Sequence, residues 1–134
     1  SLMETKNLNV TIPSQPEFPY LEAKKMYEEN QEKLEDFADF DDTIRNTLFF
    51  AFTGDNNELL GLIYYYTLDD GLTYINGVAG KKHHLTNLRG LKWTLNGFNC
   101  DIYARSKQKP AILCLLRLGF KKIDKNLYKL ERTK

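Results

Sequence analysis

The chain has 134 residues, of which 42% are hydrophobic and 13% aromatic, and this size and composition predict one packed domain and argue against disorder. No apolar run approaches the roughly 20 residues of a membrane span, and the polar segment 4–9 has no signal-peptide character, so we expect a cytoplasmic protein that does not enter a membrane. The net charge of +1 hides a division, because 14 Lys/Arg stand against 3 Asp/Glu from residue 80 onward and 9 acids against 3 bases over residues 22–42.

The two charged regions suggest different ligands. The basic half suits a polyanion such as a nucleotide or a nucleic acid, and the acidic segment suits a cationic amine. The alternative is that the two regions only complement each other in the fold or form two solvated faces. Composition alone leaves both interpretations open.

The first elements are a strand and a helix. Alternation over Asn7–Ile12, closed by Pro13, predicts a strand. Helical spacing of apolar residues then predicts an amphipathic helix over roughly 19–37 with an acidic outer face. Asp41 or Asp42 is expected to cap a further short turn of helix. The apolar residues of the predicted helix are Tyr20, Ala23, Tyr27, Leu34 and Phe37.

Three predicted strands follow, over 47–53, 59–68 and 72–79. Tight turns at Gly54–Asn57 and Asp69–Gly71 join them. Consecutive strands joined by such short turns pair antiparallel, so we expect a three-stranded meander.

The second half alternates helices with strands. A helix is predicted over Leu85–Asn96, with Gly97 as its stop signal, and a strand over 99–105. Pro110 fits the first turn of the next helix. Gly119 fits the left-handed cap of that helix, with Phe120 as the hydrophobic partner of the cap. The apolar residues of the first of these helices are Leu88, Leu91, Trp93 and Leu95, and the chain closes with two brief strands over 121–123 and 126–130.

The order of elements is therefore β, α, βββ, α, β, α, ββ. It predicts the α+β class, with a mixed, mostly antiparallel sheet of about seven strands flanked by helices. We expect residues 1–134 to form a single domain, and we interpret Ser1-Leu2 ahead of Met3 as a cloning remnant.

This order resembles the GNAT superfamily of N-acetyltransferases, and two blocks carry the resemblance. The first runs from Val78 to Leu88, where the family shows Val, a Pro two residues on, then Arg/Gln-x-x-Gly-x-Gly/Ala opening a helix. Val78 matches, and Gly80 stands at the Pro position. His83 stands at the Arg/Gln position, with Thr86 and Leu88 at the two glycine positions.

The second block is Gln108-x-x-Ala111-x-x-x-Leu115-x-x-x-Gly119-Phe120. The family typically shows Asn-x-x-Ala-x-x-x-Tyr-x-x-x-Gly-Phe. Ala111, Gly119 and Phe120 match, and Gln108 is a conservative replacement for the Asn. Leu115 stands where many members carry the Tyr that protonates the departing thiolate, and a leucine has no proton to donate. The chain is accordingly identified as a divergent member.

The resemblance implies an acetyl-CoA-dependent transfer of an acetyl group to a small-molecule or peptide amine. It places the cofactor pyrophosphate at the start of the helix after the fourth strand, with Lys81 and Lys82 beside it. A backbone N–H around Val78 would polarise the thioester carbonyl. The implied cofactor-binding residues are Val78, Gly80, His83, His84, Leu85, Thr86, Asn87, Leu88 and Gln108.

The catalytic residues stay unknown at this level. Strand 72–79 carries no carboxylate, and its polar side chains include Tyr74 and Asn76. Tyr64–Tyr66 and Tyr103 either relay protons, line a pocket or only pack. Asp69 and Asp70 lie in the preceding turn and are expected to be too far away.

Histidine and cysteine give no further site. His83 and His84 are adjacent and project in different directions, so no metal site is predicted. Cys100 and Cys114 are interpreted as reduced core residues, and Cys114 has no neighbouring His to make it a nucleophile.

Two alternatives to an enzyme remain. One is a catalytically inactive structural or assembly protein that kept the fold, for instance one borne by a phage or mobile element, and a homodimer is left open. The other is a nucleic-acid-binding module using the basic C-terminal residues, although lysines that protect a sheet edge explain the same residues without any ligand, and this explanation is favoured. An open cleft between strands 72–79 and 99–105 would favour the enzyme, and a cleft plugged by Trp93 or the tyrosines would favour the structural protein. The basic residues are Lys121, Lys122, Lys125, Lys129, Arg132 and Lys134, interleaved with Tyr128.

Overall fold

The structure, a computed structural model, describes residues 7–132. The interpretation of Ser1-Leu2 and any role of Lys134 lie outside the described residues. Within them, seven strands form one sheet in the order β1-β2-β3-β4-β5-β7-β6. The strands are β1 (Asn9–Thr11), β2 (Leu48–Thr53), β3 (Leu59–Thr67), β4 (Thr73–Ala79), β5 (Ile102–Arg105), β6 (Lys121–Asp124) and β7 (Leu127–Leu130). The helices are α1 (Tyr20–Glu29), α2 (Gln31–Leu34), α3 (Phe40–Asn46), α4 (His84–Leu95) and α5 (Lys109–Arg117).

The sheet is antiparallel except at one junction. β2, β3 and β4 form the predicted meander, and β6 and β7 form a hairpin that pairs with β5. β4 and β5 run parallel, because α4 crosses over between them. The predicted α+β class with a mixed, mostly antiparallel sheet is confirmed.

Helices pack on both faces of the sheet, because alternate residues of a strand point to opposite faces. Tyr64 belongs to a core cluster that includes Tyr27 of α1 and Phe40 of α3. Its neighbour Tyr65 belongs to a second cluster, with Leu91 of α4 and Leu115 of α5. The α1–α3 face and the α4–α5 face are therefore two separate cores.

The end of α5 has the predicted cap. Gly119 has φ of +100°, a conformation that favours glycine. The Phe120 N–H donates to the Leu115 carbonyl at 3.0 Å, and the Gly119 N–H donates to the Leu116 carbonyl at 3.1 Å. Phe120 is buried against the second core. This is the Schellman arrangement, and it ends the helix where the β6–β7 hairpin begins.

The long helix predicted over 19–37 is wrong in its second half. α1 ends at Glu29, α2 covers one turn, and Glu35 takes the left-handed conformation with φ of +53°. The chain turns at this point, and the Phe37 side chain is 72% exposed. The predicted cap of the next helix is also wrong, because Asp39, and not Asp41 or Asp42, accepts the capping hydrogen bond, from the Asp41 N–H.

Two predicted core residues face solvent. Trp93 is 62% exposed on the outer side of α4, because positions 91, 94 and 95 form the buried face of that helix. Cys100 is exposed in the loop before β5, whereas Cys114 is partly buried. Burial raises the pKa of the Cys114 thiol, so it stays protonated at neutral pH.

No helix in the described part of the chain is long and apolar enough to cross a membrane.

Candidate functional site

Strands β4 and β5 are paired only along the first half of β4 and diverge after it. Their parallel pairing covers three positions and ends at Ile75 opposite Ala104. β4 continues to Ala79 paired only with β3, whereas the chain after β5 turns toward the hairpin, where the Ser106 N–H donates to the Asn126 carbonyl. A cleft therefore opens beside the second half of β4. Trp93, exposed on α4, does not plug it.

The hydrogen-bond alternation of β4 identifies the backbone groups that face this cleft. The Gly80 N–H donates to the Leu60 carbonyl at 2.7 Å. Since bonding direction alternates along a strand, Val78 also bonds toward β3, and the N–H groups of Gly77 and Ala79 point to the β5 side. The N–H of Val78 itself therefore does not face the cleft, whereas the N–H groups of its two neighbours do. The Gly77 N–H is held by the side-chain oxygen of Asn76 at 2.8 Å.

Gly77 is required by a close backbone approach. A Cβ at this position would lie 2.5 Å from the Leu62 carbonyl oxygen and 2.5 Å from the Ile63 side chain. Only a residue without a side chain lets β4 approach β3 this closely at the point where β5 diverges.

α4 begins directly after the cleft edge of β4. His83 precedes the helix in the left-handed conformation, and its imidazole lies 3.4 Å from the Glu58 carboxylate. The amide N–H groups of a helix start carry partial positive charge and attract anions. Lys81 and Lys82 are exposed beside this helix start.

The predicted cofactor residues of α4 divide into two groups. His84 and Leu85 are exposed, and Leu85 is 60% so. Thr86 and Asn87 are buried. The Asn87 amide donates to the Leu60 carbonyl at 3.0 Å, the same oxygen that accepts the Gly80 N–H. Asn87 therefore fixes α4 against the beginning of β3, and its side chain is directed inward.

Three other predicted cofactor residues have different surroundings. Val78 is half-buried against the first core, while Leu88 is half-buried on α4. Gln108 is exposed at the start of α5, in the loop that follows β5. Leu115, at the position of the family Tyr, is buried in the second core. The structure thus gathers residues 78–88 around the start of α4 and places Gln108 on a separate loop.

A cleft of about 590 Å³ lies on the face of the sheet that carries α1–α3. It is lined by the segment joining α2 to α3 and by residues of strands β3 to β5. It reaches Ile75, the last residue of β4 that pairs with β5. Its charged lining residues are Glu35, Asp36, Asp42 and Arg105. Three of these four are acids, so part of the acidic segment noted in the sequence faces this cavity, which we call the acidic cleft.

A hydrogen-bonded network joins this cleft to β4. The Tyr64 hydroxyl donates to Asp36 Oδ2 at 2.8 Å, and the Asn76 amide donates to the Tyr64 hydroxyl at 3.2 Å and to the Leu34 carbonyl at 2.9 Å. Burial first, and then the hydrogen bond to Asp36, raise the pKa of Tyr64. The phenol therefore stays protonated and keeps donating to the carboxylate.

Sequence reasoning missed Asp36 and Tyr64 as partners. They lie 28 residues apart, and no spacing rule joins a loop carboxylate to a strand tyrosine. The available signal was the acidic segment at 22–42, which favoured a cationic amine without indicating which acid would face it.

The basic hairpin fits a protected sheet edge. β6 is the outermost strand, and Lys121 and Lys122 on it are exposed. Tyr128 is 5% exposed, so its ring is not available to stack on a base. The Arg132 guanidinium donates to the Leu95 carbonyl at 2.8 Å.

Among residues 7–132, no group of three or more His, Cys, Asp or Glu side chains is arranged to hold a metal ion.

The parting of β4 from β5 and the helix that follows β4 define the fold of GNAT acetyltransferases, as predicted. No protein-family model and no curated protein matches the sequence. Among solved structures, the chain is similar to the ribosomal-protein-S5-alanine acetyltransferase of Vibrio fischeri, with a TM-score of 0.67, 11% identity, and coverage of 97% of this chain and 96% of that one.

Two further solved structures give the same result. The ribosomal-protein-S18-alanine N-acetyltransferase of Escherichia coli aligns with a TM-score of 0.58 at 13% identity, covering 96% of each chain. A GNAT-family acetyltransferase of Staphylococcus aureus aligns with a TM-score of 0.59 at 15% identity, covering 92% of this chain and 98% of that one. At these identities the likeness is one of fold.

Proposed function

We propose that the chain is an acetyl-CoA-dependent N-acetyltransferase that acts on an amine bound in the acidic cleft. The observation that carries this proposal is the meeting of two features at one point of β4. Pairing with β5 ends at Ile75, and both Ile75 and Asn76 line the cleft that contains Asp36. An amine in this cleft would therefore approach the place where β4 offers backbone N–H groups.

The residues around α4 fit the cofactor. The helix start and the exposed side chains of Lys81 and Lys82 supply positive charge for a pyrophosphate. Thr86, at the first glycine position, is buried, so its side chain does not stand on the solvent side of the helix. Among the proposed contacts, His83, His84, Leu85 and Gln108 contribute from exposed or half-buried positions, and Asn87 holds the helix in place.

Acetyl-CoA, when bound, supplies the activated acetyl group. The backbone N–H of Ala79, on the β5 side of β4, is the candidate to polarise the carbonyl, because the Gly77 N–H is already bonded to the Asn76 side chain. Asp36 attracts the ammonium form of the acceptor, which loses one proton to solvent before it reacts. Asp36 then accepts the second proton as the N–C bond forms, and Tyr64 holds the carboxylate in position. An N–C bond forms, the C–S bond breaks, and the thiolate departs without a proton donor at Leu115.

The acceptor is an amine of a small molecule or of a peptide. Two of the similar structures carry names that describe alanine acetylation of ribosomal proteins, which makes a peptide N-terminus a natural acceptor to test beside small amines.

Isothermal titration with acetyl-CoA and with CoA tests the cofactor proposal. We expect saturable binding, weakened about fivefold to tenfold in the double variant Lys81→Ala, Lys82→Ala. The matched control is Lys121→Ala, Lys122→Ala, which removes the same charge from two adjacent exposed lysines on β6 and should bind normally. Absence of binding by either compound would refute the proposal and favour a protein that kept only the fold.

A further inference from the structure

The acidic cleft also contains one cation, Arg105. It is the last residue of β5, and its side chain lines the cleft together with Asp36. The guanidinium carbon lies 5.8 Å from the centre of the Tyr74 ring, a separation at which a cation is attracted by the ring face.

A row of tyrosines supports this arginine. Tyr66, Tyr74 and Tyr103 stand opposite one another on β3, β4 and β5. The Tyr66 and Tyr74 rings are stacked at 5.8 Å, and Tyr74 and Tyr103 follow at 5.7 Å. The Tyr74 ring, held in this row, restricts where the guanidinium can lie, so its planar set of donors is partly pre-organised for a planar anion.

The charges of the cleft are only partly compensated. Glu35 is paired with Lys107 at 3.7 Å, and Asp42 is paired with Arg45. Within residues 7–132, no carboxylate lies within 4.0 Å of the Arg105 guanidinium, and Asp36 is bonded by neutral donors, the Tyr64 hydroxyl and the Ala38 N–H. One acid and one base in the same cleft therefore remain for a ligand.

We infer that the acceptor is a small zwitterion, a primary amine that also carries a carboxylate. Asp36 takes the ammonium group and Arg105 takes the carboxylate, in the bidentate manner that guanidinium and carboxylate favour. The cleft, of about 590 Å³, has room for a molecule of this kind. This inference rests on the proposed acetyltransferase function and adds the acceptor class.

Matched acceptors test the inference. We would measure thiol release from acetyl-CoA with amino acids of two to five carbons between the amine and the carboxylate, and with their carboxamides, which keep the amine and remove the negative charge. Two short peptides, with and without an acidic residue next to the N-terminus, complete the panel. We expect kcat/KM for the best free amino acid to exceed that of its carboxamide by about tenfold or more.

Arg105→Gln should abolish this preference, and Arg105→Lys should restore part of it. Arg117→Gln, which removes an exposed arginine from α5, should leave the preference intact. Thermal unfolding of Arg105→Gln near that of the wild type would establish that the variant is folded, as expected for an exposed side chain.

The outcomes separate the two proposals. Equal turnover of acids and carboxamides, or a preference that survives Arg105→Gln, overturns the inference and leaves the acetyltransferase proposal standing. Turnover of the acidic peptide alone also overturns the small-molecule class. No thiol release with any amine, despite acetyl-CoA binding, contradicts the acetyltransferase function itself.

Discussion

The two faces of the sheet differ in how far their residues match the sequence pattern of GNAT acetyltransferases. On the α4–α5 side, the matching residues Gly119 and Phe120 form a helix cap and a core contact. On the same side, the positions with chemical roles in the family carry Thr86 and Leu115, both of which are buried. On the α1–α3 side, a polar network from Asp36 to Asn76 faces an open cleft.

The contrast shows that the residues that hold the fold together and the residues that line the cleft are under different constraints. A capped helix end and a buried phenylalanine hold the sheet and helices together in any protein with this fold, whatever it catalyses. Polar groups that line a cleft are free to change with the ligand. The capping and core residues therefore identify the fold, and the cleft is where the proposed acceptor would be recognised.

The largest effect on the free energy of unfolding is expected in the core that α4 and α5 form with the sheet. Phe120→Ala should lower the free energy of unfolding by about 3–5 kcal/mol, because it opens a cavity in the second core and removes the hydrophobic partner of the cap. Denaturant titration measures this. Ile123→Ala is the control, because Ile123 is half exposed on β6, and it should cost less than about 0.5 kcal/mol. Similar losses for the two variants would contradict the role given to Phe120.

The network on the other side should contribute less to stability. Asn76→Ala removes two hydrogen bonds, to the Leu34 carbonyl and the Tyr64 hydroxyl, and should cost about 1–3 kcal/mol. It also frees the Gly77 N–H from its side-chain partner, so acetyl-CoA turnover should change as well. Asn99→Ala, at an exposed loop position, should alter neither property. A stable Asn76→Ala protein would show that the network does not hold the loop.

Alkaline pH provides a test specific to the network. Burial raises the pKa of Tyr64 and Tyr65 above the ordinary value of 10.0. Above pH 10 the unfolded chain releases phenol protons that the folded chain retains, so the free energy of unfolding falls as pH rises, by about 1.4 kcal/mol per pH unit for each such tyrosine. Between pH 10 and 11, where ionisation of the unfolded phenol rises from half to nearly complete, the fall in the free energy of unfolding should be smaller by about 1 kcal/mol in Tyr64→Phe. An unchanged slope would show that Tyr64 titrates normally.

The smallest effect on stability is expected for an exposed ion pair that joins the loop before α5 to the end of α2. Lys107, in the loop before α5, lies 3.7 Å from Glu35 at the end of α2, and both side chains are more than half exposed. Lys107→Ala should therefore cost less than about 0.5 kcal/mol. Lys109→Ala serves as the neighbouring exposed control. A loss above 1 kcal/mol for Lys107→Ala alone would mean that this ion pair ties the two sides together.

Local signals predicted much of the fold. Two tight turns specified the meander, and Pro110 and Gly119 marked the beginning and end of α5. The failure at 19–37 has a physical cause, because Leu34 continues the helical spacing of Tyr27 even though the helix breaks at Asn30. Periodicity reports which residues are buried and is insensitive to a break that preserves their spacing.

Only the part of the candidate site that is formed by residues contiguous in the sequence was predicted. Residues 78–88 are contiguous, so their gathering around the start of α4 follows from the chain itself. The cleft depends on Asp36, Tyr64 and Arg105, which come from a loop and two strands. Their meeting is decided by the tertiary arrangement of α2 relative to the sheet, and no local pattern encodes it.

The most direct test of the central claim, that an amine bound beside Asp36 receives an acetyl group, compares the wild-type protein with Asp36→Asn. The substitution keeps the size of the side chain, and the amide oxygen can still accept the hydrogen bond that the Tyr64 hydroxyl donates. We predict amine-dependent thiol release by the wild-type protein and a loss of about 100-fold or more in kcat/KM in the variant, with unchanged affinity for acetyl-CoA by isothermal titration. Equal turnover by the two proteins, or thiol release that does not depend on the amine, would contradict the account.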